Sequence, residues 1–165
     1  MNTVKPSKKM PDLKIFGTDR FSDFRGSYTE SFNKEFFQKN SDVKFVQDDF
    51  SISRKNVLRG LHGDFETWKL VSCPFGELYF VVVDMREDSE TYLFWESFIL
   101  SPENANFILV PPGFANGHLV MSDQAVFHYK QSTYYGTNQF TIKHDDHRLQ
   151  IFWPNVEFLK SERDS

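Results

Sequence analysis

The chain has 165 residues, a length that suits one domain with a substantial hydrophobic core. Its formal net charge of −4 gives no basic surplus, which argues against a nucleic-acid-binding protein. No apolar run approaches the roughly 18 to 20 residues that a membrane span needs, so we expect no membrane insertion. The single cysteine, Cys73, excludes an internal disulfide and favours a reducing cytoplasm.

The first part of the chain alternates between turn-forming residues and short amphipathic segments. Residues 1–12 are predicted to be a loose leader, because their basic residues precede no apolar segment of the kind that a secretory signal needs. The elements expected next are strands at 13–16 and 27–32, a helix at 34–38 and a strand at 43–54. Polar and apolar residues alternate in the last of these, as in a strand with a polar site on one side.

Short apolar segments then recur at about ten-residue spacing, separated by Gly, Pro, Asn and Asp. The strands that they predict are VLRGLH, LVSC, GELYFVVVDM, TYLFWESFIL, NFILV, HLVMS, AVFHYKQSTYY, FTIKH and LQIFWP. Aromatic residues make up 17% of the chain, which favours strands around an aromatic-lined interior over a helical bundle. The spacing is typical of an all-β sandwich or barrel.

The segment NVLRGLHGDFETWK concentrates an arginine, a histidine and a lysine on an apolar hairpin, where burial without partners is costly. His62 is either a structural histidine at a strand end or a general base, since a neutral imidazole has a pKa near the operating pH. Metal binding is a third reading, but no second histidine stands at the spacing that a cupin metal site needs. Lys69 is either a surface residue with a buried stem or a cation that stabilises an oxyanion.

Four further residues have both a structural and a chemical reading. Arg25 and Arg59 are either ion-pair partners of nearby acids or a clamp for a diphosphate, because guanidinium matches phosphate oxygens bidentately. Tyr129 is either a core aromatic or a general acid. Asp164 reads as a solvated tail residue on composition alone.

The ordered set of segments resembles a known family. VLRGLH, KLV, GELYFVVVDMR, LVPPGFANGHLVMSD, YKQSTYY and IFWP resemble, in order and spacing, the nucleotide-sugar 3,5-epimerases typified by dTDP-4-dehydrorhamnose 3,5-epimerase. SDFRGSYTESFN and FVQDDFS resemble the family's first two site-bearing segments, so the likeness covers about residues 16–164. It implies a single all-β domain, a cupin-type jelly-roll barrel with short peripheral helices. It also implies a homodimer that exchanges N-terminal strands and a reaction without metal or cofactor.

The resemblance further implies an epimerase that acts on a nucleoside-diphosphate 4-keto sugar through an enolate. His62 would be the base, and Asp164 would orient and charge it, as a carboxylate does for imidazole in other dyads. Lys69 would stabilise the enolate oxygen at C4, and Tyr129 would be the acid on the opposite face of the sugar.

The remaining residues implied by the resemblance bind the substrate. Arg25 and Arg59 would hold the diphosphate. Glu30, Gln47 and Asp49 would lie near the nucleoside or the sugar.

The sequence also departs from the family pattern. The loop after His62 is compressed to GDFETW, and GFAHGF of typical members is GFANGH here, so that Asn116 replaces a histidine. Phe80 stands where typical members have an Asp that partners that histidine. Asn116 can still hydrogen-bond the sugar but cannot act as a base near neutral pH. His118, two residues further on, has no assigned role at this stage.

These departures resemble a branch that acts on GDP-linked 4-keto heptoses in capsule polysaccharide synthesis and inverts either C3 alone or both C3 and C5. The alternative substrate is a dTDP-4-keto-6-deoxyhexose. A 3,4-ketoisomerase is disfavoured because the His-x-His of those relatives is missing here. A sugar-nucleotide-binding cupin without activity would keep the two arginines, but it would have no need of His62, Lys69, Tyr129 and Asp164 together.

Overall fold

The computed structural model describes residues 1–136 and 138–164. In chain order the elements are β1 (Thr3–Pro6), β2 (Lys14–Gly17), β3 (Arg20–Asp23), β4 (Gly26–Thr29), α1 (Lys34–Asn40), β5 (Gln47–Arg54), β6 (Leu58–Asp64), β7 (Lys69–Phe75), β8 (Leu78–Asp84), β9 (Trp95–Leu100), β10 (Asn106–Val110), β11 (Phe114–Val120), β12 (Gln124–Gln131), β13 (Gln139–Thr141) and a 3₁₀ turn (Glu162–Asp164). Within this described part, no helix is long and apolar enough to cross a lipid bilayer.

Two antiparallel sheets pack face to face, which confirms the predicted all-β, cupin-type jelly roll. One sheet has six strands in the order β1-β2-β10-β7-β12-β5, and the other has five in the order β13-β6-β11-β8-β9. The core between them takes fully buried side chains from both sheets, among them Val71, Phe80, Val82 and Ile108. Most of these strands coincide with the short apolar segments at about ten-residue spacing from which they were predicted.

The outer face of the six-stranded sheet is covered by α1. Asn33 caps this helix by accepting a hydrogen bond from the backbone N–H of Phe36 at 3.0 Å. Phe37 is 1% exposed and packs in a second apolar cluster with Phe16 and Leu109. The helix predicted at 34–38 is therefore confirmed, and it continues to Asn40.

The prediction of a loose leader at 1–12 is wrong. Residues 3–6 form β1, which pairs with β2 and extends the six-stranded sheet. Met10 is fully buried in the core, and Met1 is 7% exposed. The sequence reading failed because it weighed the basic residues and overlooked two buried methionines.

Several predicted strands have other bounds in the structure. The strand expected at 43–54 begins at Gln47, that at 27–32 ends at Thr29, and that at 91–100 begins at Trp95. The segment LQIFWP, predicted as a strand, has no ladder partner among the described residues. It instead lies against the outer face of the five-stranded sheet, where Leu149, Ile151 and Trp153 pack with Leu61 and Val81.

Candidate active site

A cavity of about 250 Å³ opens between the two sheets. Six of the ten predicted site residues line it: His62, Lys69, Tyr129, Asp164, Arg59 and Asn116. The five-stranded sheet contributes His62 and Arg59 from β6 and Asn116 from β11, whereas the six-stranded sheet contributes Lys69 and Tyr129. Titratable groups therefore enter one hollow from two opposed walls.

His62 and Asp164 form an ion-pair-type contact at the centre of this cavity. The His62 Nε2 atom lies 2.8 Å from Asp164 Oδ1, and the two side chains are 22% and 6% exposed. The His62 Nδ1 atom is 3.1 Å from the hydroxyl of Thr141 on β13. Both ring nitrogens thus have partners, which fixes the plane of the imidazole.

Asp164 reaches this position because the end of the chain is held against β6. The backbone N–H of Leu159 donates to the carbonyl of Asn56 at 2.9 Å, and that of Leu58 donates to the carbonyl of Leu159 at 3.0 Å. The 3₁₀ turn then carries the carboxylate to His62. Its Oδ2 atom accepts a hydrogen bond of 2.6 Å from Ser161.

Gly60 explains why β6 must contain a glycine beside the site. Its φ is +111°, and a Cβ atom at this position would lie 2.6 Å from the Cα of Gly117 on β11. Its N–H donates to Asp164 Oδ1 at 3.1 Å. Gly60 therefore lets β6 and β11 approach closely, and its backbone also orients the carboxylate.

The electrostatic surroundings favour a neutral imidazole and an ionised carboxyl. Burial lowers the pKa of His62 below its usual 6.5, and the charge of Arg163 lowers it further against the opposing effect of Asp164. Burial alone would raise the pKa of Asp164, but hydrogen bonds from Ser161 and Gly60, together with His62, leave it below its usual value. A neutral imidazole held by a carboxylate is the arrangement of a general base.

Lys69 and Tyr129 stand next to each other on the opposite wall. The Lys69 Nζ atom lies 5.8 Å from the centroid of the Tyr129 ring. Burial lowers the pKa of Lys69, and burial raises that of Tyr129, with Asp49 and Tyr135 adding to the latter effect. The phenol therefore stays protonated at neutral pH and can donate a proton.

Arg59, on the same strand as His62, and Asn116, the register partner of His62 on β11, line the same cavity. The Arg59 Nε atom donates to the hydroxyl of Ser53 at 3.1 Å, which leaves the other guanidinium nitrogens for an anion. The Asn116 side-chain amide donates to the backbone carbonyl of His62 at 3.2 Å. Its oxygen is not used by that bond and can face a ligand.

Gln47 and Asp49 were expected near the nucleoside or the sugar, but they do not line the cavity. Their side chains bond each other at 2.7 Å, and Asp49 also accepts a bond of 2.8 Å from Gln131. Gln47 accepts a bond from the backbone N–H of Tyr135, which does line the cavity. Within one chain, these two residues therefore contact the cavity lining only indirectly, through the bond between Gln47 and Tyr135.

Arg25 and Glu30 lie away from the cavity of their own chain. Arg25 sits at the tip of the β3–β4 hairpin, where its guanidinium pairs with Asp23 at 2.6 Å and its side chain is 77% exposed. Glu30 follows the hairpin and pairs with the N-terminal ammonium of Met1. Within one chain these two side chains do not line the cavity of Arg59, because the hairpin forms a separate small sheet, and their assignment to the substrate stays a prediction.

Sequence reasoning missed several cavity residues, notably His118 and Arg163. His118 was noticed without a role, although period-two alternation along β11 places it on the face of Asn116. Arg163 is adjacent to Asp164 and donates to Gln139 at 2.8 Å. His118 stands in the segment GFANGH at a position without an assigned role, and Arg163 stands in none of the segments that carry the resemblance, so neither residue could be assigned a function from the sequence. Residues 1–136 and 138–164 contain no cluster of three His, Cys, Asp or Glu side chains arranged to hold a metal.

The chain is similar to known proteins over almost its whole length. A family model described as dTDP-4-dehydrorhamnose 3,5-epimerase matches residues 7–165. The dTDP-4-dehydrorhamnose 3,5-epimerase of Shigella flexneri is 41% identical over 170 residues, which cover 99% of this chain and 93% of that protein.

Solved structures are similar over almost the whole chain. The dTDP-6-deoxy-D-glucose-3,5-epimerase of Legionella pneumophila, in complex with dTDP-4-keto-L-rhamnose, has a TM-score of 0.91 and 38% identity, covering 98% of this chain and 89% of that chain. A 3'-monoepimerase from Streptomyces bikiniensis, in complex with dTDP-quinovose, has a TM-score of 0.90 and 27% identity, covering 97% and 84%.

Proposed function

Because the chain belongs to the dTDP-4-dehydrorhamnose 3,5-epimerase family, we propose that it inverts C3, or both C3 and C5, of a nucleoside-diphosphate 4-keto sugar. Members of this family are isomerases that act on sugar nucleotides. One observation carries the proposal. The His62–Asp164 pair and the Tyr129 phenol line one cavity from opposed sheets. Inversion of a carbon needs a base on one face and an acid on the other.

In the first step His62 removes a proton next to the ketone. The C4 carbonyl acidifies the hydrogens on C3 and C5, and the neutral imidazole accepts one of them. Asp164, 2.8 Å from Nε2, stabilises the imidazolium that results. Because Nε2 is the nitrogen bonded to Asp164, the proton is taken up at Nδ1, and the Thr141 hydroxyl, 3.1 Å from Nδ1, releases its hydrogen bond to that nitrogen during the transfer. Positioned groups of this kind accelerate proton transfer by about 10²- to 10⁴-fold.

The enolate then needs a cation and an acid. The Lys69 ammonium lies on the wall opposite His62, and a charge fixed there stabilises the developing oxyanion more than water would. Tyr129, held beside Lys69, returns a proton to the carbon from its own side. Return from that side completes the inversion. The chemistry draws on these side chains alone, so the proposal includes no cofactor.

The sugar nucleotide would be held by cations at the rim of the cavity. Arg59 has free guanidinium nitrogens for the diphosphate, as argued above. Tyr135 offers an aromatic ring near the same opening. The relatives' names and bound ligands make a dTDP-linked 4-keto-6-deoxy sugar the first candidate for this chain.

A GDP-linked 4-keto heptose of capsule synthesis is the second candidate. Asn116 favours it, because its amide is spent on the backbone of His62 and it cannot serve as the second base of typical members. The shortened loop between His62 and Lys69 also changes the wall beside the nucleotide. Calorimetric titration with GDP and with dTDP separates the two candidates directly.

Solvent deuterium exchange tests the activity. The 4-keto sugar nucleotide is incubated with the enzyme in D₂O, and the C3 and C5 protons are followed by NMR. We expect wash-in at C3, with or without C5. No wash-in at either carbon would reject the epimerase and leave a sugar-binding cupin. His62→Asn should abolish exchange while nucleotide binding stays intact, so exchange that survives this change would refute the assigned base.

We further propose a homodimer in which the β3–β4 hairpin serves the partner's cavity. Three aromatic side chains on this hairpin, Phe21, Phe24 and Tyr28, are 65%, 98% and 69% exposed, which is costly for a free surface. An exchange of N-terminal strands would bring Arg25 to the other subunit's diphosphate.

Coexpression of two inactive variants tests this arrangement. Arg25→Ala combined with His62→Asn should restore about one quarter of the activity, since about half of the dimers are mixed and each has one intact cavity. Lys69→Met combined with His62→Asn is the control and should restore none, because both residues line the same chain's cavity. Equal activity of the two mixtures would refute the exchange.

The free buried thiol of Cys73 suits a cytoplasmic enzyme.

A further inference from the structure

His118 is a buried histidine at the cavity that the mechanism above does not use. It lies on β11, is 3% exposed and forms part of the cavity lining. Its ring stacks on Phe127, with centroids 4.2 Å apart and planes at 20°. Its Nε2 atom is buried and has no hydrogen-bond partner among the residues that the structure describes.

An unpaired polar atom at this depth is expensive. A buried donor or acceptor without a partner destabilises the folded state, and an apolar residue of similar shape at this position would avoid that loss. Burial, with the charge of Arg59 acting in the same direction, lowers the pKa of His118 to about 3, so the ring is neutral at physiological pH. A neutral imidazole offers one N–H donor and one acceptor nitrogen.

The position of His118 in the cavity indicates which part of a ligand it can reach. Arg59, its register partner on β6, is exposed, whereas His118 is buried beside Asn116 and Gly117. A diphosphate held by the exposed guanidinium therefore stays near the opening, and the attached sugar extends inward toward His62. Rotation of the imidazole by 180° about its Cβ–Cγ bond keeps the ring plane, and therefore the stack on Phe127. It also places each nitrogen where a ring carbon was.

We infer that His118 is a specificity-determining residue that hydrogen-bonds a polar group on the buried edge of the sugar. The inference rests on the proposed function and adds a requirement to it: the preferred sugar has a hydroxyl or carbonyl oxygen facing the cavity floor. A site built to bond such a group discriminates against a sugar that presents only hydrogens or a methyl there, because the ring nitrogen then stays unpaired.

The test compares binding of a nucleoside diphosphate with binding of its sugar conjugate. dTDP with dTDP-D-glucose, and GDP with GDP-D-mannose, are titrated by calorimetry into the wild-type dimer or monomer as it is purified. Neither conjugate has a 4-ketone, so binding is measured without turnover. His118→Phe keeps the aromatic stack and removes both nitrogens, whereas His118→Gln keeps a donor and an acceptor.

For the nucleotide that the wild type binds, His118→Phe should weaken the affinity for the sugar conjugate by about three- to tenfold. It should leave the affinity for the free nucleoside diphosphate unchanged. His118→Gln should recover part of that loss. An equal loss for both ligands would overturn the inference, since it would assign His118 to the diphosphate or to folding. No loss for either would overturn it as well.

Imidazole nitrogen NMR on the wild type covers the case in which the phenylalanine variant does not fold. The His118 resonances, assigned by their absence from His118→Gln, should move on addition of the sugar conjugate and stay in place with the diphosphate alone. Unmoved resonances would overturn the inference. Failure of the wild type to exchange deuterium would instead refute the epimerase while leaving this binding result standing. Failure to bind either nucleotide would refute both.

Discussion

The buried imidazole of His118 should make the protein sensitive to mild acid, and the size of the effect follows from its environment. The pKa of His118 falls from 6.5 to about 3, chiefly through burial, with Arg59 and His62 acting in the same direction and Asp164 against them. Between pH 6.5 and about pH 3, His118 is therefore protonated in the unfolded chain but neutral in the folded chain. Stability from this group is fully present above pH 6.5 and is lost as the pH falls toward 3.

One pKa unit corresponds to about 1.36 kcal/mol, so this group should cost about 2 kcal/mol of stability by pH 5. For a chain of this size that loss lowers the melting temperature by about 4–8 °C. The measurement is thermal unfolding of wild type and His118→Phe between pH 8 and pH 5 at one protein concentration. His62 and His144, whose pKa values are also lowered by burial, titrate in both proteins and cancel from the difference.

We expect the wild type to lose more stability than His118→Phe across this range, whatever the offset between the two at pH 8. His147→Phe is the control, because the His147 side chain is 95% exposed, and its acid sensitivity should equal that of the wild type. If the wild type and His118→Phe lost the same stability between pH 8 and pH 5, the reasoning about an unprotonatable buried imidazole would be refuted.

Three further outcomes are expected. Tyr129→Phe should keep deuterium wash-in, because His62 still forms the enolate, but it should lose inverted product; inversion at the wild-type rate would exclude the phenol as the acid. Asp164→Asn should reduce kcat/KM by about 10²-fold or more and move the acid limb of its pH profile to lower pH, since Asp164 raises the pKa of His62; an unmoved limb would argue against their coupling. Burial raises the pKa of Cys73 to about 12, so a thiol reagent at pH 8 should label it only after unfolding; rapid labelling of the native protein would contradict its burial.

Local patterning predicted most of the fold because most strands are short apolar segments separated by Gly, Pro, Asn and Asp. It failed where tertiary contacts decide. In LQIFWP the apolar residues pack on the outer face of the five-stranded sheet. A strand within a sheet and an irregular segment that covers a sheet can carry the same pattern of apolar residues, so the sequence did not distinguish them. The turn before β9 is another case, since the carboxylate of Asp84 accepts bonds from Arg86, Ser89 and Thr91 and holds 85–94 out of the sheet.

The candidate site was predicted in part for a related reason. His62 and Lys69 stand in one short segment, so their proximity is visible in the sequence. Asp164 lies about a hundred positions from its partner, and only the family resemblance assigned it to His62. Arg25 shows the converse case, because its charge type indicated diphosphate binding while the separate β3–β4 hairpin keeps it away from the cavity of its own chain. Sequence can specify which chemistry is present, but the closing of long loops decides which groups meet.

The turn at 161–164 ties proton transfer to a segment that contributes little to the two sheets. Its contacts with the barrel include the Leu159 bonds to β6, the carboxylate contacts of Asp164 and the bond from Arg163 to Gln139. This turn is expected to detach by local unfolding at a lower temperature than the sheets unfold, because few apolar contacts hold it in place. Warming should therefore abolish activity reversibly a few degrees below the temperature at which the sheets unfold. A bulky fusion that displaces this turn should give a folded but inactive protein.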